Sequence, residues 1–228
     1  MKHTDPHGHV TPGGPAWTYD LGSAVVRKCS VGEMDNNVYL VTCTATGARL
    51  LIDAADDPDR IQRLMEEDPE GSGSTLEQVL TTHSHWDHHR ALAAVVGRTG
   101  ATTLAGAADA ADLPVRVDRR LRDGDTVRVG HLVLDVIHLR GHTPGSVAVA
   151  LSTAADRTTS LLFTGDSLFP GGPGKTATPA DFTSLMDDLE QRVFAAFSDD
   201  ALVLPGHGDN STLGAERPSL GQWRERGW

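Results

Sequence analysis

Five side chains that can bind a metal ion fall within seven residues of this chain, between His83 and His89. An apolar run at residues 79–80 leads into the stretch, and a helix-like run at residues 91–96 leads out of it. This order predicts the end of a strand, a tight loop and the start of a helix. A histidine-rich loop that merely faces solvent is the simpler interpretation, but matching groups farther along the chain argue against it.

The spacing within the stretch brings its donors together. Side chains alternate along an extended backbone, so His83 and His85 should point the same way. Asp87 and His88 then fall in the first turn, where the chain bends back over the same place. Four donors within six residues are crowded for one ion. We therefore interpret them as ligands of two neighbouring ions.

Length and composition narrow the possible functions. A chain of 228 residues can bury roughly 70% of its unfolded surface, so it needs no disulfides for stability. The net charge is -11 and runs of Lys and Arg are absent, which argues against nucleic acid as a partner. No run approaches the length of a membrane span, and the polar N-terminus lacks a signal peptide's apolar core. Cys29 and Cys43 are expected to be small buried hydrophobic residues, and a cytoplasmic location follows.

Apolar runs and turn residues predict the remaining elements. Strands are predicted at residues 24–26, 38–41, 50–52, 127–129, 132–137, 147–151, 161–163 and 202–204. Helices are predicted from Asp57 onwards, at 107–111, at 181–197 and after a capping Ser211. Residues 1–15 are expected to form a flexible N-terminal tail, and residues 16–228 a single domain.

A histidine or an aspartate closely follows each of five apolar runs. These residues are Asp53, His83, His142, Asp166 and His207. The last three lie in turns that contain glycine, which permits the tight bend that aims a side chain. Sites are commonly built where strands end on a rigid sheet. These groups are therefore candidates for the same site as the histidine cluster.

Four motifs in this order resemble those of the metallo-β-lactamase superfamily. Residues 83–88 have the pattern HxHxDH, and the later motifs match at residues 141–146, 164–166 and 205–208. The resemblance covers roughly residues 24–217. It implies an α/β fold of the αββα type, in which two mixed β-sheets pack together with helices on their outer faces. It also implies that residues 16–228 form one metallo-β-lactamase-like domain.

The resemblance assigns roles to single residues. By the superfamily's pattern, seven side chains would hold two divalent ions: His83, His85 and His142 on one, Asp87, His88 and His207 on the other, and Asp166 between them. Asp53 matches an aspartate that orients one of these ligands. Imidazole and carboxylate ligands suit zinc, iron or manganese, and zinc is the metal we expect.

Within the superfamily, the chain most resembles the short glyoxalase II-like proteins, which are similar to the hydroxyacylglutathione hydrolases. Residues 35–40 and 166–169 resemble their early loop and the stretch after the bridging aspartate. Lys175 corresponds to a lysine that contacts the carboxylate of the thiol carrier. Only 21 residues follow His207, where full-length glyoxalase II enzymes carry a helical domain that completes the glutathione site. The expected partner is a small thioester, with the thiol carrier left open.

The implied activity is metal-dependent hydrolysis. A hydroxide shared by the two ions would attack the thioester carbonyl, with Asp87 as both ligand and proton acceptor. Alternatives are a mono-iron persulfide dioxygenase, a lactone or phosphodiester hydrolase of the same fold, and a non-catalytic metal-binding protein. Antibiotic hydrolysis is disfavoured, because true β-lactamases lack the aspartate at the position of Asp166 and are exported. The oligomeric state is not predicted.

Overall fold

Two β-sheets dominate the computed structural model, which describes residues 7–152 and 160–227. Within these residues the first sheet has seven strands, which lie side by side in chain order: β1 (Trp17–Asp20), β2 (Ala24–Val31), β3 (Asn36–Cys43), β4 (Arg49–Ile52), β5 (Leu76–Thr81), β6 (Thr102–Gly106) and β7 (Arg119–Leu121). The first four strands are antiparallel, and β4 to β7 run parallel. The sheet is therefore mixed.

The second sheet has six strands in the part of the chain that the structure describes: β8 (Thr126–Val129), β9 (Leu132–His138), β10 (Val147–Ser152), β11 (Ser160–Gly165), β14 (Leu202–Pro205) and β15 (Ser211–Thr212). Their spatial order is β15-β14-β11-β10-β9-β8. Only β11 and β14 pair in parallel, so this sheet is mixed too. The short strands β12 (Leu168–Phe169) and β13 (Gly172–Pro173) form a separate hairpin.

Helices cover the outer faces of both sheets. They are α1 (Pro58–Glu66), α2 (Leu92–Thr99), α3 (Pro179–Asp188), α4 (Leu213–Glu216) and α5 (Leu220–Arg226). Shorter 3₁₀ turns lie at Pro69–Gly71, Trp86–His88 and Arg217–Ser219, and a π-helical turn at Leu189–Phe194 continues α3. Among the described residues, no helix combines the length and apolar character needed to cross a bilayer.

The four layers follow from the alternation of side chains along the strands. In β3, Tyr39 and Val41 face the core shared with the second sheet. Val38 and Leu40 face the opposite way, into a core that includes residues of α1 and α2. The second sheet packs its outer face against α3 and the segments after it. Strands covered on both faces are rich in apolar residues, as β3 is at residues 38–41. The predicted αββα arrangement of two mixed sheets and outer helices is confirmed.

The helix predicted at residues 181–197 has different ends. It begins at Pro179, because Thr178 caps it by accepting a hydrogen bond from the backbone N–H of Asp181. Its regular part ends at Asp188, and the π turn then absorbs one extra residue per turn. The predicted apolar stripe is nevertheless buried along its whole length, including Phe182 and Phe197.

Two further element predictions are wrong. Residues 107–111 form turns rather than a helix, since Asp109 uses its carboxylate to bind neighbouring loops. Ser211 lies in β15 and does not cap α4, the helix that follows it. Instead, the hydroxyl of Thr212 accepts from the N–H of Ala215.

The predicted N-terminal tail falls partly outside the described residues, which begin at His7. Gly8 is buried, and its carbonyl accepts a hydrogen bond from the ammonium of Lys28, which is 0% exposed. The His7 carbonyl accepts from the backbone N–H of Asn210, at 2.7 Å. These contacts tie Gly8 to β2 and His7 to the loop after β14. The flexibility of residues 1–15 and the single domain at 16–228 stay predictions.

Candidate metal centre

Strand ends from both sheets meet at one edge of the sandwich. Asp53 directly follows β4, and His83 comes two residues after the neighbouring parallel strand β5. On the second sheet, Asp166 directly follows β11, and His207 comes two residues after the parallel strand β14. Parallel strands end at the same edge, so each pair of groups is brought together by the sheet itself.

The structure brings together all seven side chains predicted as ligands. They fall into three groups whose nitrogen and oxygen atoms lie within 4.8 Å of one another: His83, His85 and His142; His83, His88 and Asp166; and Asp87, His88 and His207. Three pairs of ring nitrogens face each other directly. His83 Nε2 and His85 Nδ1 are 3.1 Å apart. The Nε2 atoms of His83 and His142 are 3.2 Å apart, and those of His88 and His207 are 3.1 Å apart.

Hydrogen bonds on the outer side fix which nitrogen faces inward in four of the five rings. His83 Nδ1 lies 3.1 Å from the hydroxyl oxygen of Thr82. His142 Nδ1 donates to the carbonyl of Lys175 and His207 Nδ1 to the carbonyl of Met34, each at 2.7 Å. His88 Nδ1 lies 3.0 Å from the carboxylate of Asp53. A neutral imidazole that donates through Nδ1 carries its lone pair on Nε2. These four rings therefore aim lone pairs into the centre, the arrangement that a cation requires.

Two aspartates complete the centre. Asp166 lies between the groups, with Oδ1 3.3 Å from His88 Nε2 and Oδ2 3.4 Å from His207 Nε2. Its Oδ2 is also 3.7 Å from His142 Nε2. Asp87 lies on one side only, with Oδ2 3.3 Å from His207 Nε2. Asp166 thus occupies the position of a carboxylate that could contact two ions, and Asp87 that of a ligand to one.

The sequence model of the metallo-β-lactamase superfamily matches residues 31–207. This range covers more than half of the chain and contains every residue of the centre. The chain belongs to the metallo-β-lactamase superfamily. Its two mixed sheets with outer helices are the fold of that superfamily.

The superfamily members most similar to this chain include a hydroxyacylglutathione hydrolase of Jannaschia sp. (strain CCS1). It is 38% identical over 158 residues, which cover 68% of this chain and 57% of the relative. The chain spans between 51% and 66% of the length of five curated relatives with this name. The predicted similarity to hydroxyacylglutathione hydrolases is confirmed.

Two solved structures are also similar to this chain. ETHE1 from Myxococcus xanthus has a TM-score of 0.71 and 30% identity, with 88% of this chain and 84% of that chain covered. TTHA1623, described in a di-iron-bound form, has a TM-score of 0.63 and 28% identity, with 82% and 95% covered. Both likenesses extend over most of the two-sheet sandwich.

The carboxylates of the centre are ionised, and their negative charge has to be balanced by positive charge nearby. Burial raises the pKa of Asp166, but the His207 and His88 imidazoles outweigh it and hold that pKa well below its usual range. Burial lowers the pKa of His88, yet the carboxylates of Asp166 and Asp53 raise it to about 10. Burial lowers the pKa of His83 and of His142. The ionised aspartates can therefore be balanced either by a proton on His88 or by a bound cation.

Two predicted site residues, Asp53 and Lys175, lie around the ligands, and the candidate ligand Asp87 has a second predicted role as proton acceptor. Asp53 is buried against His88, where it was predicted to orient a ligand. The Lys175 side chain is exposed, and its backbone carbonyl holds His142. Asp87, the predicted proton acceptor, receives a hydrogen bond from Asn36 Nδ2 at 3.0 Å. Their roles in catalysis and substrate binding stay predictions.

Sequence reasoning assigned no role to several residues that touch the centre. Asn36 holds Asp87, and Thr82 donates to Asp53 through its N–H and its hydroxyl, at 2.7 Å and 2.8 Å. His89 is buried, and its Nε2 contacts the carbonyl of Ser84 at 3.1 Å. The stretch containing Asn36 was recognised as resembling glyoxalase II, and that signal could have identified it.

Proposed function

We propose that this chain is a dinuclear metal-dependent hydrolase that cleaves a small thioester. The observation that carries the proposal is the convergence of five imidazoles and two carboxylates on one small volume at a sheet edge. The curated relatives named hydroxyacylglutathione hydrolase support the reaction class. Because the chain spans only part of those relatives, their activity is proposed for it and does not follow from the likeness alone.

The chemistry of the donor set fits two divalent cations. We assign His83, His85 and His142 to one ion, Asp87, His88 and His207 to the other, and Asp166 to both. Four of the rings have their outer nitrogens engaged with oxygen atoms, which leaves the inner nitrogens as ligands. A related solved structure is described as di-iron-bound, which supports two ions at a centre of this kind.

The identity of the metal is part of the proposal. Imidazole and carboxylate donors accept zinc, iron and manganese, and we expect zinc. A cytoplasmic location is proposed with it, because Cys29 and Cys43 are both free thiols, as expected in a reducing compartment.

When bound, the two cations supply Lewis acidity and lower the pKa of a bound water towards about 7. Within the chain, we assign the proton from that water to Asp87 Oδ2. Burial raises the pKa of Asp87, but the hydrogen bond from Asn36 and the charge of His88 lower it overall, so the carboxylate is ionised and able to accept. A thiol leaving group has a pKa near about 8.5, so it can depart without a strong general acid.

Lys175 is proposed to bind an anionic group on the thiol carrier. Its side chain is exposed, and its carbonyl holds His142, so the ammonium belongs to the loop that borders the centre. Replacing Lys175 with Ala should raise KM by about tenfold for a carrier with free carboxylates. Steady-state kinetics with a carrier and its methyl ester would test this, since KM for the ester should not change. An equal rise for both would contradict the assignment.

Metal analysis beside a thioester assay tests the proposed function. The purified protein loaded with zinc should hold two ions per chain and hydrolyse at least one acyl thioester in a panel of low-molecular-weight carriers. The variant His85→Ala removes an exposed ligand and should lose at least about 100-fold in kcat/KM, since even residues behind the ligands cost 10–100-fold. His131→Ala, in an exposed turn, is the matched control and should retain wild-type activity.

The outcomes separate the alternatives. One iron per chain, with no thioester turnover, would favour a mono-iron dioxygenase. If the protein binds two ions and hydrolyses only lactones or only phosphodiesters, that compound class would replace thioesters as the proposed substrate. Bound metal with turnover of no ester would indicate a non-catalytic metal-binding protein. Wild-type activity of His85→Ala without metal would overturn the mechanism.

A further inference from the structure

Asp109 lies where two loops of the metal centre meet. It is 1% exposed and stands in the turns that follow β6. Its Oδ2 accepts hydrogen bonds from the backbone N–H of Ser84 at 2.8 Å and from the hydroxyl of Thr143 at 2.5 Å. Its Oδ1 accepts from the backbone N–H of Gly145 at 2.6 Å. One carboxylate therefore holds both loops.

Each of these partners adjoins a predicted metal ligand. Ser84 separates His83 from His85, and Thr143 directly follows His142. The backbone of Ser84 is held at both ends, because its carbonyl contacts the ring of His89 at 3.1 Å while its N–H donates to Asp109. These two contacts fix the backbone between the imidazoles of His83 and His85, whose ring nitrogens lie 3.1 Å apart.

The turn that carries Asp109 also packs directly on the His142 loop. A Cβ at Gly106 would lie 1.8 Å from the carbonyl oxygen of Gly145, so only glycine permits this approach. A Cβ at Gly145 would in turn lie 2.3 Å from the backbone nitrogen of Asp109. The two backbones therefore pack directly on each other at these glycines, and the Asp109 carboxylate forms hydrogen bonds across the same junction.

We propose that Asp109 is a positioning residue that assembles the His83, His85 and His142 group of ligands. The inference rests on the proposed metal-dependent function. The other group, Asp87, His88 and His207, is held by different atoms: the amide of Asn36, the carboxylate of Asp53 and the carbonyl of Met34. Loss of Asp109 should therefore weaken one ion site much more than the other.

The variant Asp109→Asn tests this in the full chain. Its amide has one acceptor oxygen and one NH₂ donor group. Whichever way the amide turns, NH₂ faces the N–H of either Ser84 or Gly145, and that hydrogen bond is lost. Zinc titration against a chromophoric chelator should show one site weakened by at least about tenfold and the other changed by less than about threefold. The absorption spectrum of the cobalt-loaded variant should change for one ion only.

Asp68→Asn is the matched control for lost stability. Asp68 is also 1% exposed and accepts hydrogen bonds from Thr42 and Arg49, at the opposite ends of β3 and β4 from Asn36 and Asp53. It should lower the denaturation midpoint and leave both zinc affinities unchanged. If Asp109→Asn does not fold, Thr143→Val removes one bond to the same carboxylate and should weaken the same site. Thr143→Ser, which keeps the hydroxyl, should restore its affinity.

Equal weakening of both zinc sites in Asp109→Asn would overturn the proposal. So would a lowered denaturation midpoint with both zinc affinities unchanged, the result expected for Asp68→Asn. A wild-type protein that binds two zinc ions but hydrolyses no thioester would overturn the proposed function and leave the role of Asp109 intact. A wild-type protein that binds no zinc would overturn both.

Discussion

Asp53 serves two neighbours at once, at the end of β4. It accepts from the N–H and hydroxyl of Thr82, and it lies 3.0 Å from His88 Nδ1. Its backbone has φ of +59°, in the left-handed region that aspartate and asparagine tolerate better than most residues. The strained backbone aims the carboxylate back at the neighbouring strand end, so the side chain links β5 to an imidazole of the centre.

Asp53→Asn should lower zinc affinity by about 10–100-fold at the site of His88. Asparagine keeps the left-handed backbone, but its amide can no longer accept from both Thr82 and His88. Competition with a chelator measures the effect. Asp56, three residues after Asp53, forms an ion pair with Arg90. The control is Asp56→Asn, which removes the charge of that partner and should change the zinc affinity by less than about threefold. Unchanged affinity in Asp53→Asn would contradict the role assigned to that carboxylate.

The two cysteines should differ in reactivity. Burial raises the pKa of Cys29 to about 12, so roughly one thiol in 10⁴ is ionised at pH 8. Burial also raises the pKa of Cys43, but a hydrogen bond from Thr46 and nearby backbone N–H groups lower it overall. Alkylation of the native protein, followed by mass spectrometry, should label Cys43 first. The single variants Cys29→Ala and Cys43→Ala confirm the assignment, and faster labelling of Cys29 would contradict it.

Single residues show how far a sequence can reveal a site. The seven candidate ligands were predictable because they lie in four motifs that resemble those of the metallo-β-lactamase superfamily, and the structure places them together. Asp109 was not, because it is one of 31 acidic residues and stands in an alanine-rich segment typical of a helix. Its importance comes from contacts with residues 84 and 143–145, which only the packing of the loops creates.

At the scale of elements, prediction succeeded where burial sets the pattern. The strands at 38–41 and 147–151 were identified because both of their faces are covered, so they are apolar throughout. Ends of elements were less predictable, since they depend on which of two adjacent residues makes the capping bond. Thr212, not Ser211, caps α4, and either hydroxyl would satisfy the sequence rule.

The helix α2 offers a paired test of backbone effects. Gly97 lies exposed inside the helix with open space around it, and Gly100 caps the end with φ of +70°. Gly97→Ala should raise the free energy of unfolding by about 0.5–1 kcal/mol. Gly100→Ala should lower it by about 1 kcal/mol, because alanine disfavours the left-handed region. Urea denaturation measures both, and changes of the same sign would contradict the assignment of these helix ends.

On the scale of the whole molecule, the centre joins the two sheets. Asp53 and the cluster at 83–88 come from the first sheet, while His142, Asp166 and His207 come from the second. Hydrogen bonds between β3 and the residues at and after the end of β14 also join the two sheets. The N–H of Asn37 donates to the carbonyl of Gly206 at 2.7 Å, and the hydroxyl of Tyr39 donates to that of Pro205 at 2.7 Å. Cations bound here would hold the sheets together, so metal binding and folding should be linked.

Zinc should therefore stabilise the protein, and more strongly as the pH rises. In the metal-free protein the pKa of His88 is raised to about 10, so its protonated form contributes stability that is complete below about pH 6.5 and is lost towards pH 10. Protons compete with zinc for the same imidazoles, so the affinity for zinc rises as the imidazoles lose their protons at higher pH. At a free zinc concentration of about 100 times Kd, each bound ion should add about 2.7 kcal/mol to the free energy of unfolding.

Urea denaturation with zinc and with a chelator, at pH 6, 7.5 and 9, measures this difference in the free energy of unfolding. The difference should grow with pH in the wild type. It should be smaller in His88→Asn, which removes the titrating ring, and unaltered in the exposed-turn variant His131→Ala. A difference that is largest at pH 6 would show that the ring of His88 does not exchange a proton for a cation. In that case, the stabilising ion would have to bind elsewhere than at the junction of the two sheets.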